Sequence, residues 1–152
     1  MDDSMDDGTK RIDALKSAAN NFVNHIAEQN QGISDSSKQH QVSIVKFSGD
    51  KSAAVGNDTY YRGGFKYNYS QVMKAMSPCT DAAAFRNTIN SINPAGSTRA
   101  DYGLQLADSQ TSNREDAKKI VIFFTDGSPT SSSGFESEVA SSAVSAAKAI
   151  EG

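Results

Sequence analysis

Hydrophobic positions along the chain follow two periods. From Arg11 to about Glu28, Ile12, Leu15, Ala19, Phe22, Val23 and Ile26 recur at three- and four-residue steps, which places them on one face of a helix. Val42-Ser43-Ile44-Val45-Lys46-Phe47 is short and β-branched and reads as a strand. Ser70 to about Ser77 reads as a second strand, antiparallel to the preceding one. Ile120-Val121-Ile122-Phe123-Phe124 is apolar without interruption and reads as a strand buried on both faces of a parallel sheet. Between and after these lie three more helical patterns. Asp81–Asn90 carries Ala84, Phe85 and Ile89 on its apolar face, and a short helix covers about Ala100–Ala107. A last helix, capped by Ser133 or a neighbour, runs to about Ala149 with Val139, Val144, Ala147 and Ile150 as its buried residues.

The polar stretches differ in kind. Asn30–Gln41 and Ser109–Asp116 read as loops, and Ser131-Ser132-Ser133-Gly134 as a turn. Ser48 to about Tyr69 is also polar, yet it holds Tyr60, Tyr61, Phe65, Tyr67 and Tyr69. Five aromatics are costly to leave in water, so this is an ordered excursion rather than a linker. The opening Met1–Gly8 is acidic, with Asp2, Asp3, Asp6 and Asp7 before the positive end of the first helix; Thr9 suits that helix as N-cap. An EF-hand loop counted from Asp3 fails, because Met5 stands third and Ala14 twelfth. No internal repeat is visible.

Composition narrows the classes. A chain of 152 residues is one domain. Its net charge of −3 gives no electrostatic reason for a nucleic-acid partner. No apolar run reaches the length of a bilayer span, and Met1 opens on aspartates rather than on the basic and apolar start of a signal peptide. The single Cys79 excludes an internal disulfide and reads as a free structural thiol. His25 and His40 stand apart and suggest surface positions, not zinc.

Candidate chemistry lies at two turns. In open parallel sheets, ligand sites form beyond the carboxyl ends of strands, and Thr125-Asp126-Gly127 follows the apolar run directly. Asp126 there is a candidate ligand for a hard cation; the alternative is a turn aspartate bonded to its own backbone. Gly96-Ser97-Thr98 leads into a helix and presents two hydroxyls. The full order is helix, strand, hydroxyl-bearing turn, helix, buried strand, Thr-Asp-Gly, helix. It resembles the von Willebrand factor A (vWA) domain family, and its wording is similar to A domains of Gram-positive bacterial surface and pilus-adhesin-like proteins. The stretches that carry the resemblance are Thr9–Lys16, Val45-Lys46-Phe47, Val55–Tyr60, Gly96-Ser97-Thr98 with Ala100–Leu104, and Phe124–Thr130.

The resemblance implies an α/β, Rossmann-like sheet flanked by helices, spanning 1–152 as a single partial domain with the aromatic-rich insertion at about 48–69. It also implies a metal-ion-dependent adhesion site, in which Mg2+ (or Mn2+ or Ca2+) takes oxygens from three loops. Thr98 matches the second loop and Asp126 the third. Neutral hydroxyls leave the ion undercompensated, so that it still attracts a partner's carboxylate; magnesium wants about six oxygens in octahedral array. The first loop, Asp-x-Ser-x-Ser in the family, has three possible alignments here. Asp2-Asp3-Ser4-Met5 is a degraded form ending on Ser4, or Asp2-x-Ser4-x-Asp6 is a variant loop, or Met1 is the residue that follows the loop. The third is favoured, because family members often carry a short acidic insertion between that Met and the first helix. In each case no apolar strand precedes the loop, so the family's central first strand and its C-terminal strands are expected to be missing. The missing strand would lie between Val42–Phe47 and Ile120–Phe124. Each backbone hydrogen bond it leaves unmade when buried costs about 1–3 kcal/mol, against a total stability of roughly 5–15 kcal/mol.

The implied function is a metal-ion-dependent adhesion module at the bacterial cell surface. Its partner would be a protein, either host matrix or a neighbouring surface protein, with no nucleic acid and no membrane insertion of this segment. The alternative is a metal-independent structural or assembly segment. An enzyme is not expected: a phosphotransferase built on Asp126 would need a second Asp where Ser128 stands, and no Walker-type loop or Ser-His-Asp wording is present. The chain as it stands is expected to hold a cation weakly or not at all. In the family fold the two central strands run parallel and end on one side, so the excursion sits beside the metal face. Tyr60, Tyr61, Tyr67 and Tyr69 then shape the partner surface, unless they only pin the excursion to the sheet.

Overall fold

The computed structural model describes residues 10–111, 114, 117–125, 127–132 and 134–151. Helix α1 spans Arg11–Gln31. It runs past the expected end because Asn30, in its last turn, is gripped from outside. The Asn30 amide donates to the carbonyls of His40 (2.9 Å) and Cys79 (3.0 Å), and its oxygen accepts from the His40 N–H (2.7 Å). One side chain thus ties the end of α1 to the start of one strand and the end of another.

Those strands are β1 (Gln41–Lys46) and β4 (Gln71–Pro78), which pair antiparallel from Gln41↔Pro78 to Lys46↔Gln71, with register shifts on both sides of Ile44. Strand β2 (Thr59–Arg62) and strand β3 (Phe65–Asn68) form a separate antiparallel hairpin. Its turn is Gly63-Gly64, with φ of +56° and +82°. Both central residues of a type I′ turn need positive φ, which glycine takes without strain. Helix α2 covers Ala82–Ser91, and Asp81 caps it by accepting from the N–H groups of Ala83 (2.9 Å) and Ala84 (3.4 Å). Helices α3 (Ala100–Ser109) and α4 (Ser137–Glu151) pack on each other.

The core lies between α1, α2 and the β1–β4 pair. Val23, Ala27, Cys79, Phe85 and Ile89 are buried there, with Ala19, Ile26, Val42, Ile44 and Ala82 packed around them. Cys79 is fully buried and free, and burial pushes its thiol pKa up. His25 and His40 are exposed, as the sequence suggests.

The structure corrects three expectations. Ile120–Phe124 is neither buried nor a strand: among the described residues it joins no ladder, and its exposures run from 71% at Ile120 to 36% at Val121. The parallel relation to β1 is reduced to a side-chain contact, Phe47 stacked on Phe123 at 4.9 Å and 11°. A central strand requires backbone partners on its edges, and the described neighbours supply none. The sheets are therefore two small antiparallel pairs in a mixed α/β arrangement, consistent with part of the expected fold. Phe22 on α1 and Val144 on α4 are exposed rather than buried, whereas Val139 is buried. The expected caps Thr9 and Ser133 lie outside the described residues.

Candidate functional site

Four segments meet where β1 ends: the chain from Ser48 to Ala53, the β2–β3 hairpin, the turn 93–99, and the loop 125–136. Hydrogen bonds knit the first three. Ser70 Oγ donates to the Ser48 carbonyl (2.6 Å) and accepts from the Ser48 N–H (3.0 Å). Ser48 Oγ donates to the Ala95 carbonyl (2.6 Å). Asn68 reaches the same turn through its side chain to the Asn93 carbonyl (2.7 Å) and its N–H to the Ala95 carbonyl (3.2 Å). Gly96, at φ +92°, lies so tightly against Tyr67 that a β-carbon there would come within 2.6 Å of the ring.

The turn 93–99 is knitted in the same way to the loop 125–136. The Thr98 N–H donates to Thr130 Oγ1 (2.9 Å), the Thr130 N–H returns to the Thr98 carbonyl (3.0 Å), and Ser97 Oγ donates to the Ser132 carbonyl (3.2 Å). Thr98 Oγ1 makes no hydrogen bond among the described residues. It faces Gly127, where a β-carbon would sit 3.1 Å from it. Thr125 Oγ1 bridges the same turn, donating to the Gly127 carbonyl (3.2 Å) and accepting from the Gly127 N–H (3.3 Å). Asp126, Asp2 and Ser4 lie outside the described residues. The structure thus brings Thr98 to the residue that follows Asp126.

The loop 125–136 is closed by Glu136. Its carboxylate accepts from Ser131 Oγ (2.6 Å), the Ser131 N–H (3.0 Å) and Ser132 Oγ (2.9 Å), and Lys51 stands 3.5 Å away. The Ser131 hydroxyl above all holds its pKa down to about 2 from 4.5. A depressed carboxyl pKa stabilises the fold fully above the unfolded value and loses that effect as pH falls through the folded one. We expect Glu136→Gln to melt below the parent protein near neutral pH, with the gap closing between pH 4.5 and about 2. Melting curves across that window check it, and a gap unchanged down to the lower end would contradict it.

The four tyrosines part company. Tyr60 stacks on Tyr67 (5.4 Å) and packs at a tilt against Tyr69 (4.5 Å), and its hydroxyl accepts from the Asp50 N–H (2.8 Å). Tyr61 stands 74% exposed on the opposite hairpin face, with Phe65 at the tip also largely exposed.

Sequence reasoning missed the charged cluster beneath the turn. Asp50 is buried; burial pushes its pKa up, but the N–H groups of Ser52 and Ala53, the Ser52 hydroxyl and Arg62 hold it below the ordinary value. Arg99, 7% exposed, donates to both carboxylate oxygens of Asp101 (3.0 and 2.8 Å) and to the Asp50 carbonyl (3.0 Å), and stacks over Tyr102 at 4.1 Å. Burial lowers the Arg99 pKa, and Asp101 together with Tyr102 more than restores it. The available signal was an Arg at the first turn of a helix, the wrong sign for the helix dipole.

A family model for the von Willebrand factor type A domain matches residues 1–150. The chain belongs to that family. No curated protein and no solved structure matches the chain. vWA domains are generally ligand- or protein-binding modules, and the family often carries a metal-ion-dependent adhesion site. Among the described residues of this vWA domain, no group of three or more His, Cys, Asp or Glu is placed to hold a metal. Of the residues such a site would use, Thr98 has hydroxyl lone pairs unclaimed by described neighbours and borders Gly127. No described helix is long and apolar enough to cross a membrane.

Proposed function

We propose that this vWA domain is a metal-ion-dependent protein-binding module of a bacterial surface protein. That setting rests on the resemblance of its motifs to A domains of Gram-positive surface and pilus-adhesin-like proteins, and the partner is host matrix or a neighbouring surface protein. The observation that carries the reading is the Thr98 hydroxyl, hydrogen-bonded to no described residue and aimed at Gly127 across two loops locked by reciprocal hydrogen bonds. Thr98 and Asp126 would supply a hydroxyl and a carboxylate to Mg2+, with Mn2+ or Ca2+ as substitutes; Asp2 and Ser4 are the remaining candidates. The ion, when bound, supplies a Lewis-acidic point for a partner carboxylate. The exposure of Tyr61 supports it as the tyrosine that touches a partner, while Tyr60, Tyr67 and Tyr69 pack on one another and hold the hairpin.

A second reading is a metal-independent assembly segment. The exposed apolar strip Ile120–Phe124 favours it, since such a surface needs a cover whatever the ion does. Calorimetric titration with Mg2+ and Mn2+ separates the two. With Thr98 and Asp126 as its protein ligands and neither Asp2 nor Ser4 engaged, weak or no binding is expected for this chain, because two protein oxygens and waters are a poor cage. Clear binding is expected for a version extended upstream by an apolar strand ending in Asp-x-Ser-x-Ser, and its loss in the Asp126→Ala form of that version. Tight binding by the present chain, or unchanged binding after Asp126→Ala, would count against the metal scheme.

A further inference from the structure

Arg99 is a poor choice for building a helix. It occupies the N-cap of α3 with no capping hydrogen bond, where Ser, Thr, Asp or Asn would serve. Its charge opposes the helix dipole, and taking a guanidinium out of water is costly. What the arrangement does well is fix one point in space. The forked pair with Asp101 leaves the guanidinium little freedom, and the third donor reaches the Asp50 carbonyl on the segment leaving β1. Tyr102 closes its face. Asp50 in turn is held by the hairpin, through the Tyr60 hydroxyl and Arg62 at 3.5 Å. The backbone between Ala95 and Arg99 is therefore anchored at both ends, by Ser48 and Asn68 on one side and by Arg99 on the other.

We propose that Arg99 is a positioning residue for Thr98: it holds the turn so that the Thr98 hydroxyl faces Gly127. A side chain pointing away from the turn sets the place of its neighbour. Such outer residues, when removed, commonly weaken a metal site by about tenfold or more.

The test uses NMR on the full chain, with two readouts. One is the nuclear Overhauser contact between the Thr98 methyl group and the Gly127 α-protons. The other, which alone rests on the metal reading, is broadening of the Thr98 and Gly127 amide signals by Mn2+. Arg99→Met removes the fork; Arg99→Lys keeps the charge but lacks the planar fork that meets both Asp101 oxygens in parallel while a third donor reaches Asp50. In both, the Thr98–Gly127 contact is expected to fade while the core around Val23 and Phe85 keeps its native signals. Half-maximal broadening is expected to need about tenfold more Mn2+. The sign is diagnostic, because deleting a positive charge by itself draws a cation closer. An undiminished contact in a folded variant, or tighter Mn2+ binding by Arg99→Met, overturns the proposal. Loss of the contact with no Mn2+ effect in the parent chain upholds the positioning role, and the metal reading is then decided by the same titration on the form carrying the added strand and Asp-x-Ser-x-Ser loop. Should both Arg99 variants fail to fold, Asp101→Asn, which takes the charge from the fork, is read the same way. There too a preserved contact overturns the proposal.

Discussion

Replacing Asn30 by leucine is expected to destabilise the protein by about 3–5 kcal/mol, a large share of what a domain of this size possesses. The side chain is 2% exposed and makes three hydrogen bonds to backbone groups of His40 and Cys79, which flank two different strands. Leucine has nearly the same shape, so packing is kept and the polar loss is isolated. The Cys79 carbonyl would be left buried and the His40 N–H part-buried without these partners, at up to about 1–3 kcal/mol each. The His40 carbonyl keeps its bond from the Cys79 N–H (3.1 Å) and suffers less. Asn30→Asp should be worse near neutral pH, since a carboxylate would face two carbonyl oxygens. It should recover partly in acid: a raised folded pKa favours the protonated form, which can donate. Urea midpoints at two pH values check both statements. A loss below about 1 kcal/mol for the leucine variant would contradict this account of how α1 is tied to the sheet.

The second large effect is expected at Gly96. Alanine there must adopt φ +92° and would place its methyl carbon 2.6 Å from Tyr67 Cδ1 and 2.8 Å from Ser48 Oγ. Left-handed backbone costs an L-residue roughly 1–2 kcal/mol, and overpacking typically adds about 1–3 kcal/mol. Gly63 is the matched control, with φ +56° and no atom within 4 Å of the added carbon. Gly63→Ala should therefore lose only the backbone part, about 1 kcal/mol. Urea midpoints of the two variants check this. Equal losses would mean that the packing of Tyr67 on Gly96 contributes nothing. The position matters because relief of the clash must push the turn that carries Thr98 away from the hairpin.

Much of this architecture was legible in local pattern. The periodic run from Ile12 to Ile26 gave α1, Asp81 with Phe85 and Ile89 gave α2, and the two antiparallel strands around the excursion were read within a residue or two. The five aromatics of the excursion marked it as ordered, although Gly63-Gly64, an explicit hairpin turn, went unread. What failed is what local pattern cannot carry. Ile120–Phe124 states a need for burial but not whether a ladder partner exists to meet it, and here the described neighbours provide only the Phe123 ring against Phe47. Phe22 and Val144 share the same limitation, because periodicity defines a stripe and not how far the neighbouring element reaches across it. At the candidate site, the Gly-Ser-Thr turn marks Thr98 in the sequence as a candidate, while Asp50 and Arg99 are invisible there. Their partners are a backbone carbonyl and a side chain brought in from elements far away in sequence.

The central claim, that Thr98 and Asp126 converge on one cation, is tested most directly by crystals of the form given an added N-terminal strand and Asp-x-Ser-x-Ser loop, grown with Mn2+. The account predicts an anomalous-scattering peak within coordination distance, about 2.0–2.2 Å, of both Thr98 Oγ1 and an Asp126 carboxylate oxygen. An Asp126 side chain directed to the opposite face of the sheet, or manganese bound only elsewhere, would contradict it.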